Sequence, residues 1–202
     1  MDPPKTVSLP NVRFLVLEGG CAALKYMGTS TWHVPRLESL HLIYSFGWME
    51  KNEWSAMFGT TWQGILRLGL SGAALDDEYR MESDFWDTFP QLQVLSLPRK
   101  RIIDIRDGPP VIHPLRYLIV GRSDICSSYY LWVMPAWLAE CPGVTRMKVR
   151  SSLGKAIRFI RREFFEEVLL KGVSLIDKDG VILTKDLLDT LDPPTNDTKG
   201  RR

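Results

Sequence analysis

The sequence predicts an α/β fold: an irregular solenoid bent like a horseshoe, with parallel strands on its concave face and a helical cap at its C-terminal end. Three observations predict it. A short phrase (an apolar residue, two variable ones, a second apolar residue, one variable one, a third apolar residue) occurs six times. The copies are Val12/Leu15/Leu17, Leu37/Leu40/Leu42, Ile65/Leu68/Leu70, Leu92/Leu95/Leu97, Leu115/Leu118/Val120 and Val144/Met147/Val149. They start 25, 28, 27, 23 and 29 residues apart, the period of a unit that cannot bury its apolar face alone and must stack on its neighbours. After Val149 a helical periodicity replaces the phrase, which suits the cap that the last unit of a stack requires.

In chain order, residues 1–8 are polar and proline-containing and are expected to be disordered. Residues 9–152 hold the six degenerate repeats. Each phrase reads as a strand whose alternate residues turn inward. In four copies a proline stands two residues before the first apolar position: Pro10, Pro35, Pro90 and Pro142. The third copy has Gln63 there and the fifth has His113, with Pro114 one residue late. Parallel strands need long crossovers, and the intervals supply them. Asp76 to Phe89 and Tyr129 to Glu140 read as helical returns, whereas Gly108-Pro109-Pro110 excludes a continuous helix between Pro98 and His113. Gly19-Gly20 and Gly69 to Gly72 read as turns after strands. The phrase and its period are those of leucine-rich repeats.

Residues 153–191 read as the cap. Ser151-Ser152 can cap a helix, and Leu153, Ile157, Ile160, Phe164 and Val168 fall on one helical face. Lys171-Gly172 ends that helix. Val173 to Ile176 and Val181 to Thr184 flank Asp177-Lys178-Asp179-Gly180 as a hairpin or a last degenerate repeat, and Lys185 to Leu191 is a short helix. Residues 192–202 are polar, contain Pro193-Pro194, and are expected to be a disordered tail.

Composition narrows the function classes. Of the 202 residues 45% are hydrophobic and 25% charged, enough to bury a core. Trp32, Trp54, Phe58, Trp86, Trp132 and Trp137 in the returns are expected to fill it. A net charge of +2 is too mild to imply nucleic acid, which is disfavoured. Cys21, Cys126 and Cys141 are odd in number and form no CxxC pair, so they read as reduced thiols in a cytoplasmic or nuclear protein. No apolar run is long enough to span a bilayer and no secretory leader is visible, so no membrane association is expected.

No catalytic constellation emerges, and the chain reads as a non-enzyme without cofactor or metal. His33, His41 and His113 lack metal-ligand spacing. No nucleophile elbow or phosphate-cradling loop is present. Asp177 to Gly180 resembles the start of a calcium loop, but Gly180 falls at the fourth position and Leu188 at the twelfth, so the coordination sphere cannot close.

The functional signal is charge on the inferred concave face. In repeats four to six its variable positions include Arg99, Arg116, Arg122, Arg146, Lys148 and Arg150 and no acidic residue; repeats one to three set Arg13 and Arg67 against Glu18 and Glu38. Like charges on neighbouring strands repel, so an acidic protein partner is expected. His41 belongs to the same face, and Tyr44 and Tyr117 supply aromatic anchors of the kind enriched in interfaces.

The phrases Leu9-Pro10-Asn11-Val12, Val34-Pro35-Arg36-Leu37 and Phe89-Pro90-Gln91-Leu92, together with Cys141-Pro142-Gly143-Val144, resemble the repeats of fungal F-box/leucine-rich-repeat proteins over residues 9–152. The F-box itself is absent from Met1 to Ser8. The resemblance implies a non-catalytic recognition module, similar to the substrate-binding part of a ubiquitin-ligase adaptor, with ligase components as further partners. Two alternatives stay open: a free-standing recognition fragment similar to an immune-receptor repeat domain, and a degenerate fragment without a partner.

Overall fold

The computed structural model describes residues 6–20, 31–45, 62–71, 79–80, 83–97, 103–104, 112–120, 138, 141–158 and 160–193. Its centre is a seven-stranded, all-parallel sheet. The strands are β2 (Phe14–Gly20), β4 (Ser39–Ser45), β5 (Arg67–Ser71), β7 (Val94–Ser96), β9 (Tyr117–Val120), β10 (Arg146–Val149) and β11 (Ser174–Ile176), paired in that sequential order. Two small parallel pairs are separate from it: β1 (Thr6–Ser8) with β3 (Thr31–His33), and β6 (Tyr79–Arg80) with β8 (Ile103–Asp104).

The register explains why the phrase recurs. Leu15, Leu40, Leu68, Leu95, Leu118, Met147 and Leu175 stand side by side across the sheet, and beside them run Leu17, Leu42 and Leu70. From β4 onward this face is fully buried, Leu95 and Leu118 to 0% exposure, while Leu15 and Leu17 on the edge strand are half-buried. The first apolar residue of each phrase closes a tight turn. Val12, Leu37, Ile65, Leu92 and Val144 each donate their N–H to the carbonyl three residues back. In four of the five, proline occupies the second turn position, where its fixed φ favours the bend.

The fifth copy builds this turn differently. Pro114 occupies the third turn position and forces His113 out of the helical region. The Leu115 N–H is taken instead by His113 Nδ1 at 3.2 Å, and Nε2 bonds the Phe89 carbonyl at 3.1 Å. A side chain thus replaces the missing turn carbonyl. Five carbonyls also each accept two successive N–H groups of the following strand's approach: Arg13, Glu38, Leu66, Gln93 and Arg116.

The helical returns are partly described. Helix α1 (Ser83–Thr88) buries Phe85 and Trp86 under the sheet, but Tyr79–Arg80 form β6, so the expected helix from Asp76 is confined to its second half. Leu138 is helical and buried; the rest of Tyr129 to Glu140, most of Pro98 to His113, and Trp54, Phe58, Trp132 and Trp137 lie outside the described residues. Trp32 is half-buried, 5.7 Å from the ring of Trp62. Three expectations are corrected. Thr6–Ser8, read as disordered, are held by parallel pairing to β3. Gly19 and Gly20 lie within β2, and Gly69 within β5, because register and neighbouring strands override the turn preference of glycine. The cap helix is two helices, α2 (Leu153–Ile157) and α3 (Arg162–Leu170). Leu153, Ile157, Ile160, Phe164 and Val168 all remain buried, and the break at Arg161 lets Phe165 join them at 0% exposure.

The C-terminal elements close the sheet's end. Gly172, at φ 70°, terminates α3 in the left-handed conformation glycine favours. Strand β11 then adds to β10, and Ile176 pairs with Ile182 in an antiparallel bridge. Helix α4 (Lys185–Leu191) is capped by the Thr184 hydroxyl, which accepts the Leu187 N–H at 3.2 Å. Arg162 ties α3 to α4 through Asp189 and the Asp192 carbonyl, and bonds Glu166 at 2.7 Å.

Candidate functional site

The alternate residues of the strands form the sheet's other face, and the register sorts them into columns. One column runs Phe14, Ser39, Arg67, Val94, Tyr117, Arg146, Ser174; the next runs Val16, His41, Gly69, Ser96, Ile119, Lys148, Ile176. These residues are exposed or half-buried, with Phe14 and Val16 the most exposed large apolar groups at the β2 edge, at 59% and 44%.

Four of the expected site residues lie on this face: His41, Tyr117, Arg146 and Lys148. Arg150 follows β10 and its guanidinium returns across the sheet to donate to the Ser96 hydroxyl at 2.7 Å. Arg116 lies elsewhere. It precedes β9, and its guanidinium bonds the carbonyls of His113, Leu115 and Gly143 at 3.2, 3.0 and 3.5 Å, which makes it a clamp on the turns. Tyr44 sits in β4 in register with Gly19. Arg99 and Arg122 lie outside the described residues.

The centre of the face is polar. His41 Nε2 is 2.8 Å from the Ser71 hydroxyl. Its imidazole lies across β5 at Gly69, where an added Cβ would stand 3.0 Å from Nδ1. Glycine is needed here for close approach of a side chain, not for its backbone freedom. Burial pushes the imidazole's pKa below its ordinary value, and the charge of Arg150 pushes it the same way. His41 and Arg150 therefore approach one another from opposite sides of Gly69 and Ser96. Among the described residues β9, β10 and Arg150 contribute three cations and no acid, while the acid of this face, Glu18, lies on edge strand β2.

Sequence reasoning singled out His41 and Arg150 but not Ser71, Ser96 or Gly69. The signal was available only through register: aligning the phrases places glycine opposite histidine and serine beyond it.

The His41–Ser71 contact has the distance at which a base draws a proton from a hydroxyl. Among the described residues no carboxylate is bonded to the Nδ1 of His41. No three His, Cys, Asp or Glu side chains gather into a metal site among the described residues. No helix among them is long and apolar enough to cross a membrane. A concavity of about 490 Å³ lies between α3 and α4 and is lined by Glu166, Leu169, Leu170, Lys185 and Leu188. It offers apolar contact and a single charge of each sign.

Comparison with family models, curated proteins and solved structures found no match to this chain.

Proposed function

We propose that this chain is a non-catalytic protein-recognition module whose strands line the concave side of a leucine-rich-repeat solenoid and hold an acidic partner there. The strictly sequential parallel order, the alignment of every phrase with the next, and the repeated turn before each strand support the solenoid reading. The observation that carries the functional reading is the group Arg146, Lys148 and Arg150 on one sheet face, beside Tyr117 and without an acid on β9 or β10. Such a field raises the association rate of an acidic protein and disfavours basic ones. The role resembles that of the substrate-binding part of an F-box adaptor, in which ligase components would be further partners, and the cell compartment proposed is cytoplasmic or nuclear.

The test is affinity purification from native cells with the wild-type chain and with an Arg146→Glu/Lys148→Glu variant. Both side chains are on the solvent-facing side of β10, so folding is retained. The expected result is an acidic protein recovered with the wild type and lost with the variant. Ligase subunits in the same sample support the adaptor role; their absence, with the acidic protein present, favours a free-standing binder. Identical recoveries from wild type and variant overturn the reading.

A further inference from the structure

We propose that the centre of this face is a phosphoryl-binding site, formed by Arg150, His41, Ser71 and Ser96 around the notch at Gly69. The inference deepens the recognition reading and rests on it. It starts from positive charge that no acid on the neighbouring strands β9 and β10 balances. The His41 imidazole reaches Gly69 and the Arg150 guanidinium reaches Ser96, neighbours in one column of the sheet, and the neighbouring strands β9 and β10 carry no carboxylate. Lys148, in the same column as Ser96 and Gly69, adds a second fixed positive charge. An anion seated at the notch would meet the fixed charges of Arg150 and Lys148 and would favour the protonated, donating form of the imidazole.

The donors fit a tetrahedral oxyanion better than a planar carboxylate. A guanidinium carries five N–H groups, and the described contact of Arg150 is the one with Ser96. The hydroxyls of Ser96 and Ser71 are each fixed by a partner, at 2.7 and 2.8 Å, so they are oriented before a ligand arrives. Protonated, the imidazole donates from both nitrogens. Three oxygens on one phosphorus can accept from Arg150, His41 and a serine together, and charge-assisted bonds of this kind are the stronger ones. Gly69 supplies the room: a side chain there would displace the imidazole on which the site depends.

The same chemistry is offered by a free phosphate ion and by a phosphorylated side chain of the partner, and the experiment separates them. Isotope-labelled full-length chain is titrated with inorganic phosphate at constant ionic strength, following the His41 ring and the Arg150 Nε–H by nuclear magnetic resonance. The expected result is saturable shifts of both groups, absent with chloride. Arg150→Ala is expected to weaken binding at least about tenfold, and Gly69→Ala to weaken it by pushing the ring aside, while Lys155→Gln, on the exposed side of α2, leaves it nearly unchanged. A phosphoserine peptide that binds more tightly than free phosphate, and than the same peptide with glutamate in place of phosphoserine, identifies a phosphorylated partner as the source. Tighter binding of free phosphate than of the peptide identifies the ion itself. Unsaturable shifts, or equal shifts with chloride, overturn the site. If an acidic peptide still binds the wild type and is lost with Arg146→Glu/Lys148→Glu while phosphate leaves His41 unmoved, the recognition reading stands and the phosphoryl site falls. Preference for single-stranded RNA over the phosphopeptide also overturns the assignment.

Discussion

Asp177 caps a helix that begins 24 residues earlier in the chain, accepting the Leu153 N–H at Oδ2 over 3.3 Å. Its Oδ1 accepts the N–H groups of Asp179 and Val181 at 2.8 and 2.9 Å and so shapes the turn that Gly180, at φ 87°, completes. Burial pushes the carboxyl's pKa up, but these three backbone donors, with help from Lys178, outweigh it and hold the pKa below 3.8. The folded pKa is the lower one, so the charged carboxylate adds stability that is present above 3.8 and lost as pH falls through the folded value. Asp177→Asn is expected to destabilise the fold at neutral pH by about 1–3 kcal/mol for a charged acceptor replaced by a neutral one, and to flatten the acid limb of stability. An unchanged limb would remove Asp177 from that role. Serines 151 and 152 looked like the cap in sequence; Ser152 takes the N-cap position without a side-chain bond, because a carboxylate distant in sequence reaches the helix first. His113 titrates in a higher window. Burial is the main cause that lowers its pKa from 6.5; the bond to the Phe89 carbonyl opposes, and Arg116 adds to the lowering. The neutral ring is the form that can accept the Leu115 N–H, so stability is full above 6.5 and declines as pH falls through the folded pKa. Thermal melts of wild type and His113→Gln between neutral and mildly acid pH should converge on acidification; parallel curves would contradict the assignment.

At the scale of the element, the apolar phrase was legible because each strand buries alternate residues against the same core, so one short pattern had to recur. Leu95 sits at its centre with 0% exposure. Leu95→Ala is expected to cost about 2–5 kcal/mol from lost contacts and the cavity left behind, measured by chemical denaturation; a wild-type midpoint would contradict the core assignment. What the pattern did not contain was the contact between elements. Nothing in residues 158–161 is a helix breaker, yet α2 ends at Ile157 and α3 starts at Arg162, with both Phe164 and Phe165 buried. Gly143 follows Pro142 in the turn before β10, and its requirement is spatial. An added Cβ would stand 2.3 Å from an Arg116 guanidinium nitrogen and 2.9 Å from the Leu115 carbonyl oxygen. The guanidinium can move and the carbonyl cannot without disturbing β9. Gly143→Ala should therefore destabilise by about 1–3 kcal/mol, read from the same denaturation curves. The candidate site was half legible for the same reason: charge and the presence of His41 are local facts, whereas its position over Gly69 and the reach of Arg150 to Ser96 are facts of register.

For the molecule as a whole, sequential pairing means that each strand of the main sheet is supported by the strands before and after it in the chain, so local stability should follow local burial. The two ends differ. At one, β11 is covered by the elements that follow it, with Leu175, Leu183 and Leu188 buried to 0–2%. At the other, β2 pairs with β4 alone in the main sheet, its inward Leu15 and Leu17 are half-buried, and Phe14 and Val16 stand exposed. Native-state hydrogen exchange should therefore show β2 opening at a free energy well below the global one, with β7, β9 and β10 exchanging through global unfolding. The mutational counterpart is that Leu15→Ala costs less than half of what Leu95→Ala costs, although the two leucines occupy the same position of the phrase and the same row of the sheet. Equal protection in β2 and β7, together with equal cost of the two substitutions, would show a single cooperative block and set aside a stack stabilised neighbour by neighbour. The outcome bears on binding as well. His41 belongs to β4, next to the weaker end, whereas Arg146, Lys148 and Arg150 belong to the firmer one. A ligand bridging His41 and Arg150 would tie the two together, so phosphate should slow exchange in β4 more than in β10.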